Sequence, residues 1–297
     1  MKVCAIIPAF NEASTIQSVI QRTKRHVKNI VVVDDGSNDS TRQIAQQERV
    51  TVVHHHKNMG LGRSITDGVD RALHLKADII VQLDGDGQHN PDEIPTLLEP
   101  ILDGGADVVV GSRFLEGGDT SMPAIKRMGN RIFSSLLSKM CGARITDSQS
   151  GFRAYKSEVI RDINLISSFS YTQEFLFHAY QNGFRIKEIP IAVEKREHGK
   201  SKVVRNIIGY TTRQLLTLFR IYRDYEPLKT FSMISLFFFL FGIIFGFVAF
   251  IQKAHQMILG LTGLLLIILS IQLFFFGFLA DMAMNVKKEF FQNLRRR

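Results

Sequence analysis

Two uncharged stretches near the C-terminus restrict this chain more than any other feature. Residues 230–252 and 254–280 contain no Asp, Glu, Lys or Arg, and only Lys253 separates them. A helix over the first reaches about 34 Å, enough to cross a hydrocarbon core of ~30 Å. The connector Gln252-Lys253-Ala254-His255-Gln256 permits only a tight hairpin, which returns both ends to one side. The runs FFFLFGIIFGF and LLLIILSIQLFFF have no polar face, so a core hairpin of a water-soluble protein does not fit. Two transmembrane helices are therefore expected over 230–281.

The charge follows the same division. Residues 195–297 hold 15 of the 37 Lys/Arg and 5 of the 28 Asp/Glu, a net of +10, which leaves −1 on residues 1–194. Arg213, Arg220, Arg223 and Lys229 precede the hairpin, and Lys287, Lys288, Arg295, Arg296 and Arg297 follow it. The positive-inside rule places the N-terminal domain, the basic tail over 282–297 and both termini in the cytoplasm. Cations that flank apolar segments point to anionic lipid. A nucleic-acid binder would carry them on its folded domain, so nucleic acid is not expected as a partner. Over 203–229, Ile208, Leu215, Leu216, Phe219 and Tyr222 recur at helical spacing among arginines. That suits a helix lying in the headgroup layer and equally an amphipathic packing helix. Cys4 and Cys141 are too few and too far apart for a disulfide framework or a Cys-based metal cluster. The first apolar run, interrupted by Asn11-Glu12, is too short for a signal peptide.

Residues 1–202 read as one α/β domain. Val3–Ile7, Ile30–Val33, Val50–His54, Ile79–Leu83 and Val108–Val110 are short apolar runs without alternation, as in strands buried on both faces of a parallel sheet. Helical patterns over Ser14–Thr23, Ser40–Gln47, Arg63–His74 and Pro91–Leu102 lie between them. Strands alternating with helices predict a doubly wound sheet with its ligand at the carboxyl ends of the strands. Three of those ends carry unusual chemistry: Pro8-Ala9-Phe10-Asn11-Glu12, Asp34-Asp35-Gly36-Ser37 and Asp84-Gly85-Asp86-Gly87-Gln88. A dinucleotide fingerprint is absent, since Gly60-Leu61-Gly62 follows the third strand and lacks the last glycine. There is no P-loop signature either. Two carboxylates flanking a glycine suit a hard divalent cation, and the same residues also make good turns.

PAFNE, VVVDDGSND, LDGDGQ, GSRF, DSQSGFRAY and REHGKSK follow one another in that order. The set resembles the family 2 glycosyltransferases of GT-A fold over about residues 3–202. Within them it is most similar to the group of dolichyl-phosphate mannosyltransferases and polyprenyl-phosphate glucosyltransferases, whose bacterial and archaeal members share the hairpin. The resemblance implies a Rossmann-like GT-A domain that transfers a hexose from a nucleotide-diphosphate sugar to a polyprenyl phosphate, feeding protein or surface glycosylation. GDP-mannose, UDP-glucose and UDP-N-acetylglucosamine all suit it as donor, and a homo-oligomer is compatible with it. It implies a nucleotide pocket lined by Pro8, Phe10, Glu12, Val33 and Asp35. Asp84, Gly85 and Asp86 would meet the diphosphate through Mg²⁺ or Mn²⁺, with Gln88 as a further ligand. Arg113 would lie near the transferred groups, and Arg196 and Lys202 on a loop that closes over the diphosphate. On the residues alone, that last pair also reads as a solvated run of charge beside the membrane.

The family's acceptor arginine corresponds to Arg127, while Arg131 stands where a serine is expected. Spaced i, i+4 on one helix, both can grip a phosphate. His54-His55-His56 alternates faces at a strand end and reads as edge decoration rather than a metal cluster. Many family 2 enzymes acting on hydroxyls carry a Glu-Asp pair with the Asp as general base. The corresponding stretch here is Tyr171-Thr172-Gln173-Glu174-Phe175, and with no Trp the QxxRW motif of processive synthases is also absent. A phosphate acceptor, already anionic with a second pKa near ~6, needs no base. Direct displacement with inversion is the expected step. Two alternatives are a transferase acting on a lipid or glycan hydroxyl, with Glu174 or Asp147 as base, and a non-enzymatic membrane scaffold or flippase subunit.

Overall fold

A computed structural model of the chain describes residues 1–115, 124–161, 171–192, 216, 219, 223, 226–251 and 256–295. The chain divides into two units, Met1–Thr211 and Thr212–Arg297. In the first, strand β1 (Val3–Ala9) is buried along nearly its whole length. Ala5, Ile7 and Ala9 point to one face of the sheet, where they join Ile16, Val19 and Ile20 of α1 (Ile16–Lys24) and Ile94, Leu97 and Ile101 of α4 (Ile94–Leu102) in one core. Ile6, on the opposite face, meets Gly68 of α3 (Leu61–His74). Apolar residues at consecutive positions are what a strand covered on both faces requires.

Around β1 the sheet contains β2 (Asn29–Asp34), β3 (Thr51–His54), β4 (Ile79–Gln82), β5 (Val108–Ser112), β6 (Arg153–Lys156) and β7 (Ile186–Pro190), in the order β3-β2-β1-β4-β6-β5-β7. Strand β2 is followed by α2 (Thr41–Gln47). The helix expected from Pro91 starts as a 3-10 turn over Pro91–Glu93, with Asn90 accepting from the Asp92 N–H, and then becomes α4. The mixed α/β sheet has the expected class but is not wholly parallel. Strand β6 inserts antiparallel between β4 and β5, and β7 pairs parallel with β5 at the edge. Neither strand has an apolar run: β6 reads RAYK, and β7 alternates as an edge strand does. Beyond the sheet lie α5 (Ala124–Cys141), α6 (Ser157–Arg161) and α7 (Tyr171–Gln181).

Asp107, just before β5, ties this half of the sheet together. Its carboxylate accepts from Arg185 Nε and Nη2 at 3.1 Å each and from Lys156 Nζ at 2.8 Å. Hydrogen bonds from Arg185, and then from Lys156, hold its carboxyl well below the usual range. A depressed carboxyl pKa adds stability above the unfolded value of ~3.9 and loses it as pH falls below that. Asp107→Asn should therefore lower the melting temperature at pH 7, with the gap to wild type narrowing at pH 3. Circular-dichroism melts at both pH values check this. An equal gap at both would remove the ion pairs as its source.

The second unit contains α8 (Pro227–Ile251) and α9 (Gln256–Arg295), both long and apolar enough to cross a membrane. Only 11% of each apolar window is buried, and Phe247, Phe250 and Leu265 are more than 60% exposed, unlike core helices. α8 begins three residues before the uncharged stretch. α9 continues beyond residue 281, so the expected tail is helical to Arg295. The two helices meet along small residues. A Cβ on Gly263 would lie 2.8 Å from Gly242 O and 3.0 Å from Gly246 N, and Ser235 Oγ donates to Ser270 O at 2.8 Å. Close backbone approach of this kind is how helices associate in lipid. Gly263→Ile should destabilise the hairpin, whereas Gly260→Ala, whose Cβ meets nothing nearer than 3.9 Å, should be tolerated. Melting of both variants in detergent measures the difference. Equal stability would show that the close approach is not needed. Of the expected amphipathic segment over 203–229, the described residues before Glu226 are Leu216, Phe219 and Arg223, each helical and exposed.

Candidate active site

The carboxyl end of β1 joins two acidic loops. Ala9 O accepts from Asp35 N at 2.9 Å and Pro8 O from Gly85 N at 3.2 Å, so the DDGS and DGDGQ loops hang from neighbouring carbonyls of one strand. Thr15 Oγ1 donates to Gly85 O at 2.8 Å and fixes the second loop from the side. Asn11, at φ +54°, donates through its N–H to Ser37 Oγ and accepts at Oδ1 from Asn38 N, locking PAFNE to the first loop. Glu12 N donates to Thr41 Oγ1. Phe10 and Glu12 are half-buried at this rim. Pro8 is buried and serves through its carbonyl, and Val33 has no exposed surface and packs against Gly68. Both side chains lie inside the sheet directly beneath this rim.

Asp35 is 5% exposed. Its oxygens accept from Met59 N at 2.8 Å and Gly60 N at 2.9 Å, and Oδ1 lies 2.7 Å from His55 Nδ1. A carboxylate has about four lone-pair directions, so little acceptor capacity remains for an incoming base. His55 Nε2 reaches Asp67 Oδ2 at 2.9 Å, and His54 Nδ1 lies 2.8 Å from Asp34 Oδ2. Two of the three consecutive histidines therefore latch the carboxylates at the end of β2 and are not edge decoration. Strand alternation could not show this, because the partners lie at the end of β2, just beyond it and on α3.

Asp84 N donates to Nδ1 of buried His89, which stacks on Phe152 with ring centroids 5.3 Å apart. Asp86 Oδ1 accepts from Gln88 N at 3.1 Å. Gly151 faces the Asp84 carboxylate: a Cβ there would lie 3.1 Å from Asp84 Oδ2. The missing side chain keeps that carboxylate approachable. Among the described residues no three His, Cys, Asp or Glu converge as a metal cage. Asp84, Asp86 and Gln88 offer two carboxylates and an amide, a donor set that fits a hard cation completing its shell with water and phosphate oxygens.

Beneath this loop lies a buried cation that the sequence reading passed over. Arg153 of β6 is 1% exposed and donates to the carbonyls of Ser150, Thr172 and Ser148 at 2.7, 2.8 and 3.2 Å. Burial lowers its pKa, while Tyr171, Asp147, Tyr155 and Asp84 oppose that shift. Burial first, and then Asp84, push the Tyr171 phenol upward, and its oxygen accepts from Gln82 Nε2 at 2.5 Å. In the sequence Arg153 stands within the DSQSGFRAY motif, where nothing distinguishes a buried arginine from an exposed one. Arg113 makes a bidentate pair with Asp147, at 2.6 Å from Nε and 2.9 Å from Nη2. Arg127 is half-buried and Arg131 exposed, one turn apart on α5. Arg196 and Lys202 lie outside the described residues.

Comparison with known proteins agrees with this architecture. The chain is 33% identical over 221 residues to an undecaprenyl-phosphate mannosyltransferase of Micrococcus luteus, covering 70% of this chain and 90% of that protein. It is 32% identical over 227 residues to a UDP-N-acetylglucosamine–dolichyl-phosphate N-acetylglucosaminyltransferase of Methanococcus voltae, covering 69% and 90%. Glucosyl-3-phosphoglycerate synthase of Mycobacterium tuberculosis, crystallised with Mn²⁺, UDP and phosphoglyceric acid, superposes with a TM-score of 0.59 at 19% identity, over 73% of this chain and 78% of that one. It shares the GT-A fold. The profile of Glycosyl transferase family 2 matches residues 4–163, and with relatives this similar the chain belongs to that family and is a glycosyltransferase.

Proposed function

We propose that this enzyme transfers a hexose from a nucleotide-diphosphate sugar to a polyprenyl phosphate at a membrane surface, with inversion at the anomeric carbon. The observation that carries the reading is the pairing of an acidic DGDGQ loop with an arginine-bearing helix that also exposes apolar residues. On α5, Met128, Ile132 and Leu136 are 59, 50 and 41% exposed, one turn apart and next to Arg131. Apolar groups beside cations suit a lipid phosphate at headgroup depth. The two relatives described above act, by their names, on undecaprenyl and dolichyl phosphates. They differ in the sugar, so the donor stays with the class of nucleotide-hexoses. A hydroxyl acceptor is less well supported. Asp147, one candidate base, is fully buried against Arg113, and Glu174 is 6% exposed.

In this reading the acceptor phosphate is already a nucleophile, and Arg127 and Arg131 orient it. Asp84, Asp86 and Gln88 would hold Mg²⁺ or Mn²⁺, which supplies charge neutralisation for the diphosphate. Arg113 would face the transferred groups, and Arg196 and Lys202 would cover the departing nucleotide. The domain organisation proposed with this reading is a catalytic part over 1–202, a juxtamembrane part over 203–229, the hairpin over 230–281 and a basic segment over 282–297. The basic flanks favour a cytoplasmic catalytic domain and cytoplasmic termini.

Asp86→Ala should reduce transfer by about a hundredfold or more, since several kcal/mol of charge stabilisation leave with the metal. EDTA should inactivate the wild type, with Mg²⁺ or Mn²⁺ restoring it. Near-normal rates for Asp86→Ala at limiting Mn²⁺ would remove Asp86 from the metal site. Charge-assisted hydrogen bonds are worth roughly 1.5–3 kcal/mol each, so Arg127→Ala and Arg131→Ala should raise the lipid KM about ten- to a hundredfold. Nucleotide-sugar Kd should stay near the wild-type value. An unchanged lipid KM together with lost nucleotide-sugar binding would place these arginines on the donor side.

A further inference from the structure

We infer that Asp147 is a positioning residue that fixes the donor-side arginine Arg113 and the acceptor helix α5 to one buried carboxylate. The inference rests on the assignment above of Arg113 to the donor and α5 to the acceptor. Asp147 has no exposed surface. Its Oδ2 accepts from Arg113 Nε at 2.6 Å and Arg113 N at 3.2 Å. Its Oδ1 accepts from Arg113 Nη2 at 2.9 Å and from Asn130 Nδ2, on α5, at 3.3 Å. Four donors occupy the roughly four lone-pair directions of a carboxylate. No direction is left to take a proton from an acceptor hydroxyl, so a base role for Asp147 conflicts with its hydrogen bonding.

The backbone that carries this carboxylate is itself anchored. Glu188 of β7 accepts from Asp147 N at 3.0 Å, from Thr146 N at 2.9 Å and from Thr146 Oγ1 at 2.8 Å. Thr146 Oγ1 also lies 2.7 Å from Ser112 Oγ at the end of β5. One turn along α5 from Asn130, Ser134 Oγ donates to Ser148 Oγ at 3.0 Å and accepts from Ser148 N at 2.9 Å. Residues 146–148 thus join the middle of β7 and the end of β5 to the helix bearing Arg127 and Arg131. Breaking a buried pair such as Arg113–Asp147 leaves a charge without its counterion and frees the arginine to adopt other rotamers.

The test is a double-mutant cycle on the full-length enzyme in detergent with undecaprenyl phosphate, using UDP-N-acetylglucosamine and GDP-mannose as donors. Asp147→Asn and Arg113→Ala should each lower kcat/KM about a hundredfold, and the double variant should match Arg113→Ala within about threefold, because coupled residues are not additive. A double variant that falls by the product of the two effects would overturn the inference. So would loss in Asp147→Asn of a rise in rate with pH, the mark of a general base. Asn130→Leu leaves the ion pair in place and carries the test if Asp147→Asn does not fold. It should raise the lipid KM about fivefold or more, in line with loss of a hydrogen bond to a charged group, with nucleotide-sugar Kd within about twofold of wild type. An unchanged lipid KM would overturn the link to α5. The cycle is run on whichever acceptor the wild type glycosylates. Failure of the lipid-phosphate reading, seen as no wild-type transfer to undecaprenyl phosphate, is therefore read separately from failure of the positioning role.

Discussion

The carboxyl end of β1 is the constraint on which the catalytic unit depends. A strand covered on both faces cannot shift its register without moving every buried side chain, so its last carbonyls are fixed points. Ala9 O and Pro8 O each hold one acidic loop by a backbone hydrogen bond. The carboxylates of Asp34, Asp35, Asp84 and Asp86 are thereby gathered at one end of the sheet while still attached to different strands. Carboxylates repel one another, and rigid backbone attachment is what keeps them together. His54 and His55 lie within hydrogen-bond distance of Asp34 and Asp35 at the end of β2 and hold these two carboxylates in place.

The second half of the sheet solves a different problem. An antiparallel β6 between β4 and β5 brings the DSQSGF segment back across the active edge, where Gly151 lies against Asp84. Arg153 then sits below that segment and donates to three carbonyls, those of Ser148, Ser150 and Thr172. Its cation also faces the electrostatic field of Asp84, Asp147 and Tyr171. The donor-side loop and the helix proposed to bind the acceptor therefore share a buried polar layer in place of an apolar one. Such layers are costly when incomplete and rigid when satisfied. Rigidity of that kind suits the proposed reaction, in which two anionic substrates are aligned before attack.

The apolar hairpin obeys another rule. Helices α8 and α9, long and apolar enough to cross a membrane, meet at Gly242, Gly246 and Gly263 and through the Ser235–Ser270 hydrogen bond, the small-residue contact that suits helices where lipid supplies no hydrophobic drive between them. Their large side chains, the phenylalanines above all, point outward, the reverse of the catalytic unit. One chain therefore contains two opposite burial patterns, and each is the low-energy solution for its own surroundings.

The amino-acid sequence alone determined the α/β class, the apolar hairpin, the family and the positions of the acidic loops. These follow from local periodicity or from residues a few positions apart, as in Asp84-Gly85-Asp86 or the uncharged run over 230–252. Local pattern did not reveal β6 or β7, because RAYK and IKEIP contain no run of buried apolar residues. Nor did it reveal that Val33 belongs to the core, that His55 bridges Asp35 and Asp67, or that Asp147 joins Arg113 to Asn130. Only the tertiary structure decided these. A side chain's partners 20 or 34 residues away depend on which strands become neighbours, and an arginine or histidine reads the same in the sequence whether it meets solvent or a buried carboxylate.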